Sequence, residues 1–354
     1  MSTTGCASAW ARGRSARPCS RRWTSSGPDL KESVFVTYPI PDPGLPTLRA
    51  AFKVNVFKGK AAPTSEQIAA GAEGCRGILV LVRDRVDAGL IKRLPKLRAI
   101  ANYGVGYDNV AVAEATRRGI LVTNTPDVLT EATADLTWAL MLATARRLGE
   151  GERMVRADQF RGWTPNMLVG ADFQGRTLGL VGFGRIARAV ARRAAGFRMR
   201  LLHTARSAPD AEAEEIGSHR VSLERLLKES DFLSVHVPLT SDTRHLIDEM
   251  ALRAMKKTAY LINTSRGPVV DEAALAKALR EGWIAGAGLD VYEDEPVVEP
   301  GLLDLDNAVL LPHIGSATIA TRAAMSRVAA TNLVLALQGQ RPPQLVNPEA
   351  WKGG

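Results

Sequence analysis

Short apolar runs alternate with stretches whose apolar residues fall three and four apart along most of this chain. Residues 34–38, 54–57, 78–82, 97–101 and 120–123 are runs of strand length, and 65–72 and 110–118 have helical spacing. A longer helical pattern covers 130–148. Residues 150–175, which include Trp163-Thr164-Pro165, hold no period and are expected to be irregular. Strand-like runs return at 200–204, 232–237, 259–263, 285–289 and 309–311, and the spacing predicts a last helix over 318–337. Alternation at these lengths predicts an α/β fold of two doubly wound, parallel-sheet (Rossmann-like) domains.

The second series opens at residues 177–187, TLGLVGFGRIA. Leu178, Leu180 and Val181 make a short apolar strand that ends in Gly182-Phe183-Gly184-Arg185-Ile186-Ala187, a G-x-G-x-x-A turn. Ile186, Val190 and Ala194 then recur at helical spacing, with Gly196 as a stop. In a strand–turn–helix setting such glycines let the backbone approach a pyrophosphate, which rests on the unpaired N–H groups of the helix start. The plainer alternative is a tight turn that packs its glycines against the helix. NAD enzymes carry an acid roughly 20 residues further on, for the ribose 2′-hydroxyl. Here the next strand ends His203-Thr204-Ala205-Arg206-Ser207, with no acid before Asp210. Thr204 leaves room for a 2′-phosphate that Arg206 and Ser207 can bind. NADP(H) is therefore the expected cofactor, with NAD(H) as the alternative.

Charge changes the picture at one end only. The net charge is +9, and the first thirty residues hold Arg12, Arg14, Arg17, Arg21 and Arg22 against Asp29 alone. Residues 1–32 are expected to form a disordered basic tail, the alternative being an organellar targeting peptide. The rest shows no basic run with interleaved aromatics, so no nucleic-acid partner is expected. No apolar stretch reaches membrane-spanning length, so no membrane partner is expected either. Cys6, Cys19 and Cys75 lack metal-ligand spacing; no metal site and no disulfide framework follow, and a cytoplasmic setting is expected.

Further strings fall at successive strand ends. They are Asn102-Tyr103-Gly104-Val105-Gly106-Tyr107-Asp108-Asn109, Asn124-Thr125-Pro126, Val235-His236-Val237-Pro238-Leu239-Thr240, Asn263-Thr264-Ser265-Arg266-Gly267, Leu289-Asp290-Val291-Tyr292-Glu293-Asp294-Glu295-Pro296 and Pro312-His313-Ile314-Gly315-Ser316. With the glycine turn, they resemble the D-isomer-specific 2-hydroxyacid dehydrogenases over about residues 33–350, and within that family the glyoxylate and hydroxypyruvate reductases. The resemblance implies NADPH-dependent reduction of a small 2-keto acid to the D-2-hydroxy acid by a homodimer. It implies a discontinuous substrate domain, 33–125 with 318–350, into which an NAD(P)-binding Rossmann domain, 126–317, is inserted. Cofactor contacts are then expected from Gly182, Gly184, Arg185, Ile186, Ala187, Thr204, Arg206, Ser207, Val237, Pro238, Thr264, His313 and Gly315. Asp290 would meet the nicotinamide carboxamide.

Keto-acid reduction needs a cation for the carboxylate and a proton donor for the carbonyl oxygen. Arg266 follows an apolar strand, and its planar fork matches a carboxylate bidentately; a surface ion pair is the alternative. His313 sits in a strand-end loop, whereas His203 and His236 lie in or beside apolar strands and His219 and His245 in polar stretches. The resemblance pairs His313 with Glu295, which would favour the protonated ring and fix its tautomer. Without the resemblance, Glu295 reads better as a solvated acid in the run Glu293-Asp294-Glu295. By the same resemblance Val105 and Gly106 offer N–H groups to the substrate carboxylate. Trp163 either reaches a partner subunit's active site or packs at the dimer interface. Tyr103, Tyr107 and Leu81-Val82-Arg83 are expected to help shape the substrate pocket. Two other readings stay open: a D-3-phosphoglycerate dehydrogenase-like NAD enzyme, and a non-catalytic dinucleotide-sensing binding protein. Formate dehydrogenases of this fold pair the histidine with a glutamine, and Glu295 argues against them.

Overall fold

The structure, a computed structural model, describes residues 32–206 and 210–353. Residues 1–31 of the expected tail, with Cys6 and Cys19, and also Ser207, lie outside the described residues.

Two parallel sheets carry the fold. The first contains β1 (Ser33–Val36), β2 (Lys53–Val56), β3 (Gly77–Leu81), β4 (Ala99–Tyr103) and β5 (Leu121–Thr123), in the order β2-β1-β3-β4-β5. The second contains β6 (Thr177–Val181), β7 (Arg200–Thr204), β8 (Ser218–Arg220), β9 (Phe232–Val235), β10 (Tyr260–Asn263), β11 (Gly286–Leu289) and β12 (Ala308–Leu310). Its order is β12-β11-β10-β9-β6-β7-β8, and every pairing in both sheets is parallel. The central strands are apolar and buried on both faces, as parallel sheets covered by helices require. The second order reverses direction between β6 and β9, which opens a crevice at the carboxyl ends of the strands where ligands of such sheets bind.

The first sheet is completed from the far end of the chain. Thr318 caps the helix Ile319–Leu337 by accepting from the Thr321 N–H at 3.1 Å. Leu333 and Leu337 of that helix share one core with Val34, Leu79 and Ala101. A Cβ on Gly77 in β3 would lie 2.9 Å from both leucines, so strand and helix are in close contact. Beyond the helix, the side chain of Asn347 accepts from Val122 N at 2.8 Å and donates to Ile120 O at 2.9 Å, tying the chain end to β5.

Two expectations need correction. The pattern over 130–148 is one helix only to Ala145; Arg147 takes a left-handed conformation (φ 53°) and a second helix, Leu148–Arg156, follows. So residues 150–156 are helical where irregular chain was expected. That helix buries none of its residues and contains two glycines, which left no apolar period to read. The short strand β8 also went unread, because Ser218-His219-Arg220 is polar and pairs only with β7 at the sheet edge. No helix of the described residues is long and apolar enough to cross a membrane.

Candidate active site

The glycine turn sits at the reversal point of the second sheet, directly after β6. Gly182 has φ +94°, and a Cβ on it would fall 2.7 Å from the carbonyl oxygen of His236, so only glycine fits. Gly184 differs. A Cβ there would meet nothing within 4 Å, so the protein's own atoms leave open space beside the N-terminus of the helix Arg185–Ala194. Gly184 is that helix's N-cap and supplies no side-chain cap, so backbone N–H groups face the space unscreened. Such a cradle fits the pyrophosphate of a dinucleotide. Ala187 is fully buried and Ile186 partly buried, so both pack the helix onto the sheet. Arg185 pairs with Asp127 at 2.8 Å, both well exposed.

At the end of β7 no carboxylate accompanies Thr204. Arg206 lies 3.6 Å from Asp242 in an exposed pair. Arg220, from β8, donates to the carbonyls of Ala205 (2.5 Å) and Arg206 (3.0 Å). Sequence reasoning missed this second cation because it missed the strand that carries it. His203 stacks on Phe183 with ring centroids 4.0 Å apart. His236 bonds Ser234 through Nε2 at 2.8 Å, and burial pushes its pKa down to about 3, so its ring is neutral. Thr264 bonds Thr137 hydroxyl to hydroxyl at 2.9 Å. Val237 and Pro238 follow β9, and the Pro238 carbonyl accepts from the Thr243 hydroxyl at 2.7 Å.

Arg266 follows β10, and Asn263 at the strand end shapes its loop. The Asn263 side-chain oxygen accepts from Ser265 N and Oγ, while its amide donates to Arg266 O at 2.9 Å. Arg266 donates from Nε to Asp108 Oδ1 and from Nη1 to its neighbour's carbonyl on Ser265, both at 2.8 Å. A Cβ on Gly106 would lie 1.8 Å from Arg266 Nη2, so the guanidinium and the Gly106 backbone are in direct contact. Asn124 donates to Val105 O and Asn102 to Gly106 O, each at 2.7 Å. With those carbonyls engaged, the loop has its N–H groups left to offer an anion beside Arg266.

The second half of the site stands at the ends of β11 and β12. His313 has φ +55° and shares a proton from Nδ1 with Glu295 Oε2 at 2.8 Å. The other Glu295 oxygen accepts from Tyr292 N at 3.1 Å. With Nδ1 engaged, Nε2 is the ring nitrogen left to face a substrate. Asp290 is 1% exposed and accepts from Ile314 N and Gly315 N, both at 2.7 Å, so it holds the loop that carries His313. Burial pushes its carboxyl pKa up, against the pull of those bonds and of His313. Each of its oxygens keeps a lone pair for a further donor.

The two halves meet backbone to backbone. A Cβ on Gly267 would fall 1.8 Å from the Tyr292 carbonyl carbon and 2.4 Å from Glu293 N. The Arg266 loop therefore rests on the turn that presents Glu295. Tyr103 is not free to line a pocket: it is 4% exposed, with its hydroxyl on the Arg322 carbonyl at 2.7 Å. Tyr107 is 43% exposed, and Arg83 stacks over Tyr38 at 5.1 Å. Trp163 stands 77% exposed outside this hydrogen-bonded set, and Val155, Phe160 and Val169 are exposed as well. Among the described residues, no group of three or more His, Cys, Asp or Glu is placed to hold a metal ion.

A dinucleotide cradle at the reversal point, beside an arginine and a histidine–carboxylate pair, defines an NAD(P)-dependent oxidoreductase. The family described as "D-isomer specific 2-hydroxyacid dehydrogenase, NAD binding domain" matches residues 138–315. The chain is 50% identical over 325 residues to a glyoxylate reductase of Korarchaeum cryptofilum, covering 91% of this chain and 98% of that one. A glyoxylate reductase of Thermococcus litoralis is 49% identical, with 90% and 98% covered. Among solved structures, an NADPH-dependent glyoxylate/hydroxypyruvate reductase of Sinorhizobium meliloti, in complex with NADP and malonate, superposes with a TM-score of 0.81 at 36% identity, covering 90% of this chain and 98% of that one. The chain belongs to the D-isomer specific 2-hydroxyacid dehydrogenase family.

Proposed function

We propose that the protein reduces a small 2-keto acid, glyoxylate or hydroxypyruvate, to the D-2-hydroxy acid with NADPH. One observation carries the reading: the Arg266 guanidinium lies against the Gly106 backbone, and its loop rests on the turn that aims Glu295 at His313. The names of the archaeal relatives and of the Sinorhizobium enzyme point to the same substrates. We read residues 33–125 with 318–350 as the substrate domain and 126–317 as the cofactor domain, with the chain acting in the cytoplasm.

In this mechanism Arg266 and the N–H groups of Val105 and Gly106 hold the substrate carboxylate. That leaves the keto oxygen within reach of His313 Nε2. The dinucleotide, when bound, supplies the hydride. His313 donates its proton to the oxygen as negative charge develops there, and Glu295 holds the ring in orientation through Nδ1. Asp290 keeps the His313 loop in place. Gly182, Gly184 and Arg185 receive the pyrophosphate; Val237, Pro238, Thr264 and Gly315 line the rest of the crevice. A steady-state panel of glyoxylate, hydroxypyruvate, pyruvate and 3-phosphohydroxypyruvate with each cofactor tests the reading. Highest kcat/KM on 3-phosphohydroxypyruvate with NADH would move it to a phosphoglycerate dehydrogenase, and no turnover of any of the four would favour a dinucleotide sensor.

The cofactor preference rests on Thr204, Arg206 and Arg220. A 2′-phosphate displaces Asp242 from Arg206 and gains charge-assisted hydrogen bonds worth about 1.5–3 kcal/mol each when shielded. Exposure and salt pull this down, so about tenfold in favour of NADPH is expected. Thr204→Asp with Arg206→Ala should reverse the ratio of kcat/KM for the two cofactors. A wild type that prefers NADH sinks the idea.

Trp163, Phe160, Val155 and Val169 are exposed apolar side chains within one stretch of the chain, of the kind that marks a protein–protein contact. We read this stretch as part of the interface of a homodimer that includes Trp163. Trp163→Glu should convert a dimer to a monomer in sedimentation velocity, and a monomeric wild type would remove this reading.

A further inference from the structure

We propose that Glu272, which touches neither substrate nor cofactor, is a positioning residue that sets the spacing between Arg266 and the Glu295–His313 pair. The inference rests on the catalytic reading above.

Glu272 is the first residue of the helix Glu272–Arg280, directly after Asp271, which caps that helix by accepting from Ala274 N at 2.9 Å. It is 5% exposed. Its carboxyl oxygen accepts from the Glu293 N–H at 2.6 Å, and a Glu293 oxygen accepts in return from the Glu272 N–H at 3.2 Å. The bonded N–H belongs to the peptide unit between Tyr292 and Glu293. That unit is the one Gly267 rests on, one residue beyond Arg266. Tyr292, at its other end, gives its own N–H to Glu295. Two successive peptide groups thus join the carboxylate-binding loop to the proton-donating pair, one bonded to Glu295 and the next, on which Gly267 rests, fixed by Glu272.

The turn has few other restraints. Asp294 and Val297 make one isolated bridge, and the Tyr292 hydroxyl donates to Leu311 O at 2.9 Å. Glu293 itself is held from outside by His245 (2.9 Å) and Arg244 (3.6 Å). Among the described residues, no cation is paired with Glu272. Burial pushes its pKa up to about 7, the charges of Glu293 and Glu299 add to this, and backbone N–H groups of the same two residues oppose it. A buried carboxyl kept at this cost is bonded to the backbone of the turn that presents Glu295.

Three substitutions separate the bond from the charge. Glu272→Gln keeps an acceptor oxygen at the same reach and removes the charge. Glu272→Asp keeps the charge but withdraws the acceptor by one methylene. Glu272→Met fills the volume with no acceptor. Glu272→Asp and Glu272→Met should lower kcat about tenfold while the NADPH Kd, read by fluorescence, stays within about twofold. Glu272→Gln should stay within about threefold of the wild-type kcat. If the Met variant fails to fold, the Gln and Asp pair decides. Wild-type turnover in Glu272→Asp overturns the proposal, as does a loss in Glu272→Gln equal to that in Glu272→Asp, or a Kd that rises as kcat falls. His313→Gln measured alongside keeps the two readings apart. Activity there removes the dyad itself, whereas an active Glu272→Asp beside an inactive His313→Gln removes only the role of Glu272.

Discussion

His313→Gln is expected to lower kcat for keto-acid reduction by about three orders of magnitude and to leave the NADPH Kd within about twofold. Positioned proton transfer contributes roughly 10²–10⁴-fold in enzymes. Glutamine can donate a hydrogen bond to the keto oxygen, but it cannot release the proton that the alkoxide requires. The surrounding geometry gives it no substitute. Glu295 is bound to the histidine and to Tyr292 N, and Asp290 is buried and bound to Ile314 N and Gly315 N. Because the His313 loop is held by Asp290 through backbone groups, the substitution leaves the loop and the nearby cradle in place. The loss should therefore fall on kcat and not on cofactor affinity. Near-normal turnover would remove His313 from the mechanism.

Most of the fold could be read because its signal is local. Each central strand is a short apolar run closed by a turn, and no terminal residue of these strands differs from its prediction by more than two positions. What escaped was polar or strained. Ser218-His219-Arg220 becomes a strand only because β7 offers it an edge, and no periodicity records such a tertiary fact. The break at Arg147 needs a left-handed arginine, which no propensity predicts. In the site, the proposed chemical residues could be named in advance: Arg266 and His313 from loops that follow apolar strands, and Glu295 only through the resemblance that the strings at strand ends carry. The residues that hold them could not. Asp108, Asn102, Asn124 and Asn263 lie in the same strings, yet their roles depend on which backbone groups the fold brings to them. Arg220 and Glu272 lie outside the strings altogether. Only the bonds to Ala205, Arg206 and Glu293 reveal them.

Arg266→Lys should lower kcat/KM for the keto acid by roughly a hundredfold, although the charge is kept. Arg266 does three things with one planar group. Its Nε is bound to Asp108, its Nη1 to the Ser265 carbonyl, and its Nη2 is set against Gly106. A lysine ammonium is a single point and cannot satisfy Asp108 and a substrate carboxylate in the same geometry. The difference is sharpened by where Asp108 sits: its Oδ1 is 3.1 Å from the place a Gly106 Cβ would take, so it borders the spot where the substrate anion is proposed to bind. In the wild type the guanidinium lies between the two anions. In the variant, one of them is left poorly neutralised beside the other. Losing one charge-assisted bond costs about 1.5–3 kcal/mol, and about 1.4 kcal/mol is a factor of ten, which sets the estimate. Adding Asp108→Asn to Arg266→Lys removes the competing carboxylate and should recover part of the loss, whereas Asp108→Asn alone should cost activity by freeing the Arg266 fork. Steady-state kinetics of the four proteins in this cycle check the argument. An Arg266→Lys variant with wild-type kcat/KM would place the substrate carboxylate elsewhere. A double variant no better than Arg266→Lys would leave Asp108 without a share in the effect.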